Sequence, residues 1–187
     1  IVQRYPRAVW ERAAMLGDTP DDYYAIRALP RQDLSAFERA AQFVYLNRYC
    51  FNGVYRTNRA GQFNVARGKG HLFVPDLDAF KAFSGRLKNA ELRCSDFEEI
   101  IAEAGNGDFV YLDPPYALEG KRDRGEYGCD AFREKDECRL IAALRAADRS
   151  GANILLSYSP ATTVLRGLNK WRRHDLTVAR NVAGFAS

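Results

Sequence analysis

Apolar residues recur at helical spacing over Phe37, Ala40, Ala41 and Val44, and Ser35-x-x-Glu38 just before them has the form of a capping box. The pattern predicts a helix over residues 35–48. The stretch that follows holds Gly53, Gly61, Gly68 and Gly70 with Asn52, Asn58 and Asn64, which is turn chemistry without sustained periodicity. A long structured loop is expected there, because its aromatic content argues against disorder. Helical spacing returns with Leu77, Phe80, Phe83 or Ser84, and Leu87, and a short strand is expected over 91–95. From there the rhythm is regular. A helix over 97–104, stopped at Gly105, leads to a strand over 109–112. A second helix over 134–149, stopped before Gly151, leads to a strand over 153–157. Short, nearly all-apolar strands alternating with amphipathic helices imply an α/β arrangement, a parallel sheet buried on both faces. Such sheets bind ligands beyond the carboxyl ends of their strands.

Composition narrows the class. The chain of 187 residues is 47% hydrophobic and 12% aromatic, in the globular range, and has room for one domain, or one domain plus a small lobe, rather than two full domains. No run of about 18 apolar residues is present that could span a bilayer. Cys50, Cys94, Cys129 and Cys138 have neither paired metal-ligand spacing nor the density of a disulfide scaffold, so a reducing cytoplasm and no metal are expected. The net charge of +4 permits nucleic-acid binding without arguing for it. Its distribution says more: Arg48, Arg56, Arg59, Arg67 and Lys69 fall in a stretch with no acidic residue, interleaved with Tyr49, Phe51, Tyr55 and Phe63.

The most informative segment is Phe109-Val110-Tyr111-Leu112-Asp113-Pro114-Pro115-Tyr116. An apolar strand ends, and an Asp, two prolines and a Tyr stand where a parallel sheet places its ligands. The prolines lack backbone donors and have fixed φ, so the chain leaves the sheet in a stiff turn with the Pro114 carbonyl open to accept. The Asp113 carboxylate and that carbonyl could hold both hydrogens of an aromatic amine and favour a pyramidal nitrogen whose lone pair can attack. Tyr116 could stack on the base once it is flipped out of a duplex.

With this site the chain resembles the Dam family of DNA adenine methyltransferases. A second block carries the likeness: Tyr45-Leu46-Asn47-Arg48, then Phe51-Asn52-Gly53 with Arg56 three residues on, then Gly61-Gln62-Phe63-Asn64-Val65. The likeness extends from about Tyr23 to Arg180. It implies a partial Rossmann-like methyltransferase sheet with an inserted, mainly helical and loop region for recognising DNA. Residues 1–32 would form an N-terminal helical connection, 33–90 the target-recognition region and 91–187 the catalytic α/β region. It further implies methylation of adenine N6 by S-adenosyl-L-methionine in double-stranded DNA at a GATC-like target, by a monomeric bacterial or phage-encoded enzyme. Asp113, Pro114, Pro115 and Tyr116 would be catalytic. Phe51 and Asn52 would fill or brace the place of the flipped base, beside Asn47, Gly53 and Asn64. Arg56 would read a guanine edge, a pairing that suits arginine's bidentate donors. Arg48, Arg67 and Lys69 would touch phosphates. Asp96 and Phe97 would contact the cofactor's adenine, with Asp113 beside it; alternatively Asp96 caps the helix beginning at Phe97, whose ring lies in the core.

The sequence also departs from the family. Its glycine-rich Phe-x-Gly-x-Gly does not occur, so a fragment that binds S-adenosyl-L-methionine weakly or not at all is expected. Ser157-Tyr158-Ser159-Pro160 stands where Ser-Asn-x-Asp is usual, and Ala66 where Pro is common. Lys121, Arg122 and Arg124 fall in a charged loop that could meet DNA. The competing readings are a noncatalytic DNA-binding remnant, or methylation of RNA or of a protein amide. Those amide and RNA enzymes commonly begin their tetrapeptide with Asn and lack the Asn47-to-Arg56 block.

Overall fold

The structure, a computed structural model, describes residues 1–58, 60–69, 72–115, 132–158 and 162–177. It forms two compact units, Ile1–Leu92 and Arg93–Ser187.

The first unit is helical. Helix α1 (Pro6–Ala14) opens on a proline, whose missing N–H costs nothing at that position. Helix α2 (Pro20–Ala28) carries a capping box in which Thr19 Oγ1 accepts from Asp22 N at 3.1 Å and Asp22 Oδ2 accepts from Thr19 N at 3.1 Å. Helix α3 (Ala36–Tyr49) has the expected box: Glu38 N donates to Ser35 Oγ at 3.3 Å, and Ser35 N to Glu38 Oε2 at 2.7 Å. The buried faces of α2 and α3 meet in a core of Tyr23, Ile26, Tyr45, Leu46 and Tyr49, joined by Cys50 and Val65 from the loop beyond α3. Tyr45 stacks on Tyr49 with ring centroids 4.3 Å apart, one helical turn along α3. Helix α4 (Leu77–Leu87) is capped by Asp76 and tied to the N-terminal segment, where Ser84 Oγ donates to the Val2 carbonyl at 3.0 Å.

The second unit holds α5 (Phe97–Ala102), β1 (Phe109–Leu112), α6 (Glu134–Arg149), β2 (Asn153–Leu156) and α7 (Thr162–Gly167). Strands β1 and β2 pair in parallel, with Phe109 opposite Asn153 and Leu112 opposite Leu156. Val110, Leu112, Ile154 and Leu156 face a core built on Ile101, Leu140, Leu144, Ala147 and Ala152. Helix–strand alternation thus gives the expected parallel sheet, with two differences. Residues 91–95 form no strand; Glu91 to Cys94 is exposed chain outside the two-stranded sheet, with Arg93 Nη1 donating to Glu103 Oε2 at 2.6 Å. Among the described residues the sheet is covered on one face: the alternate residues Phe109, Tyr111 and Leu155 are 66%, 60% and 53% exposed. With only two strands and with α5 and α6 on one side, every second strand residue has nothing packed over it among the described elements. Helix α5 also stops two residues short of the expected end, and β2 one residue short.

Among the described residues no helix is long and apolar enough to cross a membrane, and no group of three or more His, Cys, Asp or Glu could hold a metal.

Leu144 is fully buried in the second unit's core, so Leu144→Ala leaves a cavity and is expected to cost about 2–5 kcal/mol. Ser35→Ala removes one cap from an exposed helix start and is expected to cost about 1 kcal/mol. Urea unfolding checks both, and equal losses would contradict this account of the two cores.

Candidate functional site

The loop after α3 is fixed from both ends. Phe51 N donates to the Ala66 carbonyl at 2.9 Å and Gly68 N to the Tyr49 carbonyl at 2.8 Å, so the outgoing and returning chains pair around a bridge between Cys50 and Arg67. A Cβ on Gly68 would sit 2.9 Å from the Cys50 carbonyl oxygen, which explains a glycine at this crossing. Asn52 (φ 55°, ψ 20°) and Gly53 (φ 64°) take left-handed conformations in succession, a geometry open to Asn and free for Gly. Asn47 Nδ2 donates to the Gly53 carbonyl at 3.1 Å and ties this turn to the last turn of α3.

Farther out the loop is a hairpin. Thr57 bridges Phe63, and Asn58 Oδ1 accepts from Ala60 N at 2.9 Å and Gln62 N at 3.0 Å, the local side-chain bonding that makes Asn a turn residue. Arg56 Nε donates to Asn64 Oδ1 at 2.9 Å. The Val65 carbonyl accepts from the buried Tyr23 hydroxyl at 3.0 Å and from Arg27 Nη1 at 2.9 Å, which anchors the returning arm on α2.

The turn opens onto a cleft of about 500 Å³ that brings together six of the expected residues: Asn47, Arg48, Phe51, Asn52, Gly53 and Lys69. Phe51 is 41% exposed there. Arg48 is partly engaged: its Nε donates to the Phe73 carbonyl at 3.3 Å and its guanidinium lies 5.3 Å over the Phe73 ring. Arg56 and Asn64 are not in this cleft; they sit on the hairpin. Arg67 is not in it either. Its Nη2 donates to the Asp18 carbonyl at 2.7 Å and its Nε is buried, so it braces the loop against the segment before α2. Asp18 lies 49 residues away, and no local pattern signals that contact.

In the second unit the last sheet bond runs from Ser157 N to the Leu112 carbonyl at 2.8 Å. Asp113 follows at the carboxyl end of β1 and is exposed, with Pro114 and Pro115 half-buried. The prolines cannot donate, so the ladder stops here as their chemistry requires. Tyr116 lies outside the described residues, as do Arg59, Lys121, Arg122 and Arg124. Tyr158, just past β2, donates its hydroxyl to Glu137 Oε1 at 2.7 Å, and Glu137 is 2% exposed. This pair was missed in the sequence, although a carboxylate at Glu137, on the face shared by Leu140, Ile141 and Leu144, was the available sign of a buried acid.

Asp96 does cap α5: its Oδ1 accepts from Glu98 N at 2.9 Å. The same oxygen accepts from Arg139 Nη2 at 2.8 Å, and Arg139 also reaches Glu98 Oε2 at 2.7 Å and Asp136 Oδ1 at 3.3 Å. Its guanidinium lies 4.9 Å over the Phe97 ring, and that ring packs near Phe132 at 6.1 Å. The Arg139 guanidinium, and then the Glu98 N–H, hold the Asp96 carboxyl below the usual aspartate range. Three carboxylates in turn raise Arg139 above its ordinary value. Capping and core packing at Asp96 and Phe97 are therefore present. One Asp96 oxygen is taken by these bonds, and the other has the chemistry to accept from an adenine amine.

An apolar parallel strand running into Asp-Pro-Pro, in a chain that also carries a basic, aromatic loop on a helical unit, is the combination on which the resemblance to DNA amino-methyltransferases rests. The family model of D12 class N6 adenine-specific DNA methyltransferases matches residues 1–181, and the chain belongs to that family. It is similar to the DNA N-6-adenine-methyltransferase of Escherichia phage P1, 38% identical over 79% of this chain and 20% of that protein. It is similar also to the type II methyltransferase M.MjaIII of Methanocaldococcus jannaschii, 36% identical over 73% of this chain and 49% of the relative. The DNA adenine methylase of Serratia marcescens is 30% identical over 88% of this chain and 63% of its own length. The chain thus spans from a fifth to about half the length of the first two relatives.

The Asp96–Arg139 bridge predicts a pH dependence. A carboxyl whose folded pKa is depressed contributes stability above its unfolded pKa, about 3.9 for Asp, and loses it as the pH falls through the folded value. Arg139→Gln should therefore lower the thermal midpoint at about pH 6 and have less effect at about pH 2. Equal effects at both pH values would mean that Arg139 acts through packing on Phe97 alone.

Proposed function

We propose that the protein transfers a methyl group from S-adenosyl-L-methionine to the exocyclic N6 of adenine in double-stranded DNA. The observation that carries this reading is Asp113-Pro114-Pro115 at the carboxyl end of a parallel strand, where the ladder among the described residues ends at Leu112 and an exposed carboxylate stands beside two prolines that offer no N–H. The relatives' names, DNA adenine methylase and DNA N-6-adenine-methyltransferase, support it. In this reading β1 and β2 belong to a larger Rossmann-like sheet and residues 33–90 are the target-recognition region. The protein acts as a monomer in the cytoplasm of a bacterial or phage-infected cell.

The amino group of adenine is a poor nucleophile because its lone pair is delocalised into the ring. Asp113 and the Pro114 carbonyl each accept one of its hydrogens, and a nitrogen held between two fixed acceptors is pyramidalised toward attack. Preorganised acceptors of this kind need no rearrangement as charge develops. S-adenosyl-L-methionine, when bound, supplies the electrophilic methyl group. Asp96 and Phe97 would hold its adenine, and Asp113 would stand beside it. The base must leave the duplex to reach Asp113; Tyr116 stacks on it, while Phe51 and Asn52, presented by the left-handed turn, brace the gap. Arg48 and Lys69 in the cleft contact phosphates, and Arg56 reads a guanine of a GATC-like site.

In the full-length protein, Asp113→Ala is expected to abolish methylation of plasmid DNA, read with a methylation-sensitive nuclease, while leaving DNA binding largely intact, because one amine acceptor is lost and no phosphate contact is. Near-normal methylation by this variant would overturn the assignment. Lys69→Ala is expected to weaken binding to all sequences alike and to reduce the salt slope by roughly one unit. A sequence-dependent loss would instead put Lys69 at a base edge.

A further inference from the structure

On the outer hairpin Arg56 Nε donates to the side chain of Asn64 at 2.9 Å. We propose that Asn64 is a positioning residue, which holds the Arg56 guanidinium by its Nε and so presents the Nη1/Nη2 edge for bidentate pairing with a guanine. The inference rests on the reading of Arg56 as the guanine-reading residue.

The geometry is specific. Arginine only donates, so the Asn64 atom 2.9 Å from Arg56 Nε is the amide oxygen, which fixes the orientation of that amide. Nε is the guanidinium atom engaged among the described residues, and the two terminal nitrogens remain as a pair of parallel donors. That edge matches the O6 and N7 acceptors of guanine in the major groove. An arginine taken up instead through its terminal nitrogens would have no such edge to offer.

The hairpin does not need this side-chain contact to close. Asn64 N already donates to the Arg56 carbonyl at 3.1 Å, Thr57 already bridges Phe63, and Asn58 closes the turn with its own side chain. The Asn64 amide adds nothing to that ladder, and what it restrains is the Arg56 side chain. Its own position is firm: the next residue, Val65, is buried and its carbonyl is held by Tyr23 and Arg27. The chain from α2 through Val65 to Asn64 is thus a fixed support, and the arginine is the long, rotamer-rich side chain that gains from it. Ordering such a side chain at an interface costs on the order of 2- to 12-fold in affinity, a cost that a preorganised arginine has already met before DNA arrives. The gain falls on guanine in particular in this reading, since bidentate pairing to O6 and N7 requires the guanidinium edge in one orientation.

The test measures binding of the protein to the duplex it selects from a randomised library, and to the same duplex with the contacted guanine changed to adenine or to 7-deazaguanine, which lacks N7. Arg56→Ala should lose about 5- to 150-fold of the preference for guanine. Asn64→Ala should lose about 2- to 12-fold of it, Asn64→Asp, which keeps an acceptor facing Nε, should retain it, and Asn64→Ala added to Arg56→Ala should lose nothing more. Full discrimination in Asn64→Ala, or a loss that persists in the Arg56→Ala background, would overturn the proposal while leaving Arg56 as the reader. A uniform loss on every duplex that Asn64→Asp does not repair would show a purely structural role and overturn it too. Unchanged discrimination in Arg56→Ala would remove the reading on which the proposal rests.

Discussion

Two backbone hydrogen bonds, from Phe51 N to the Ala66 carbonyl and from Gly68 N to the Tyr49 carbonyl, close the long loop on the end of α3, and the first unit's surface chemistry depends on that closure. It lets Cys50 and Val65 enter the core, gives the Phe51–Gly53 turn a rigid base, and sets the register of the outer hairpin. The crossing is so close that the Gly68 position has no room for a side chain against the Cys50 carbonyl. Arg67 contributes by reaching the Asp18 carbonyl rather than by facing solvent. Loops that carry function are commonly held by a stiff scaffold, and here the scaffold is α2 and α3, with Tyr45 stacked on Tyr49 and Tyr23 tilted against Tyr45.

The second unit reaches stiffness by another route. Parallel pairing of β1 and β2 ends at Leu112 and Ser157, and the prolines then forbid further ladder bonds, so Asp113 projects from a framed edge. Tyr158, next along from Ser157, is held by the buried carboxylate of Glu137. This pair supplies polar order where the chain departs from the usual Ser-Asn-x-Asp. Arg139 plays a comparable part at α5, binding Asp96, Glu98 and Asp136 at once and covering Phe97. Because the Arg139, Asp96 and Glu98 side chains are about two-fifths exposed, each of these ion pairs by itself contributes little, and the value of the cluster lies in fixing Asp96.

Local signals in the sequence were reliable guides to local structure. The Ser35–Glu38 box predicted the start of α3 to within a residue, and apolar runs bounded by glycine located β1, α6 and β2. Residues 91–95 misled because alternation alone cannot say whether a partner strand lies alongside. The sheet's second face misled for a related reason: Phe109, Tyr111 and Leu155 read as buried by composition, yet burial depends on what packs above them. At the site, the Asp-Pro-Pro turn and the aromatic-Asn-Gly loop were legible because their chemistry is contiguous in sequence. Arg139 with Asp96, Arg67 with Asp18, and Tyr158 with Glu137 were not, since their partners stand 43, 49 and 21 residues apart and no period links them.

The central claim is that the protein methylates an amino nitrogen of adenine, and not of cytosine, in DNA. Incubating the protein with unmethylated duplex DNA and isotopically labelled S-adenosyl-L-methionine, then digesting the DNA to nucleosides and separating them by mass, addresses it directly. Label recovered in N6-methyldeoxyadenosine is the predicted result. Label in N4-methyldeoxycytidine, or in neither nucleoside despite binding of both DNA and cofactor, would contradict it.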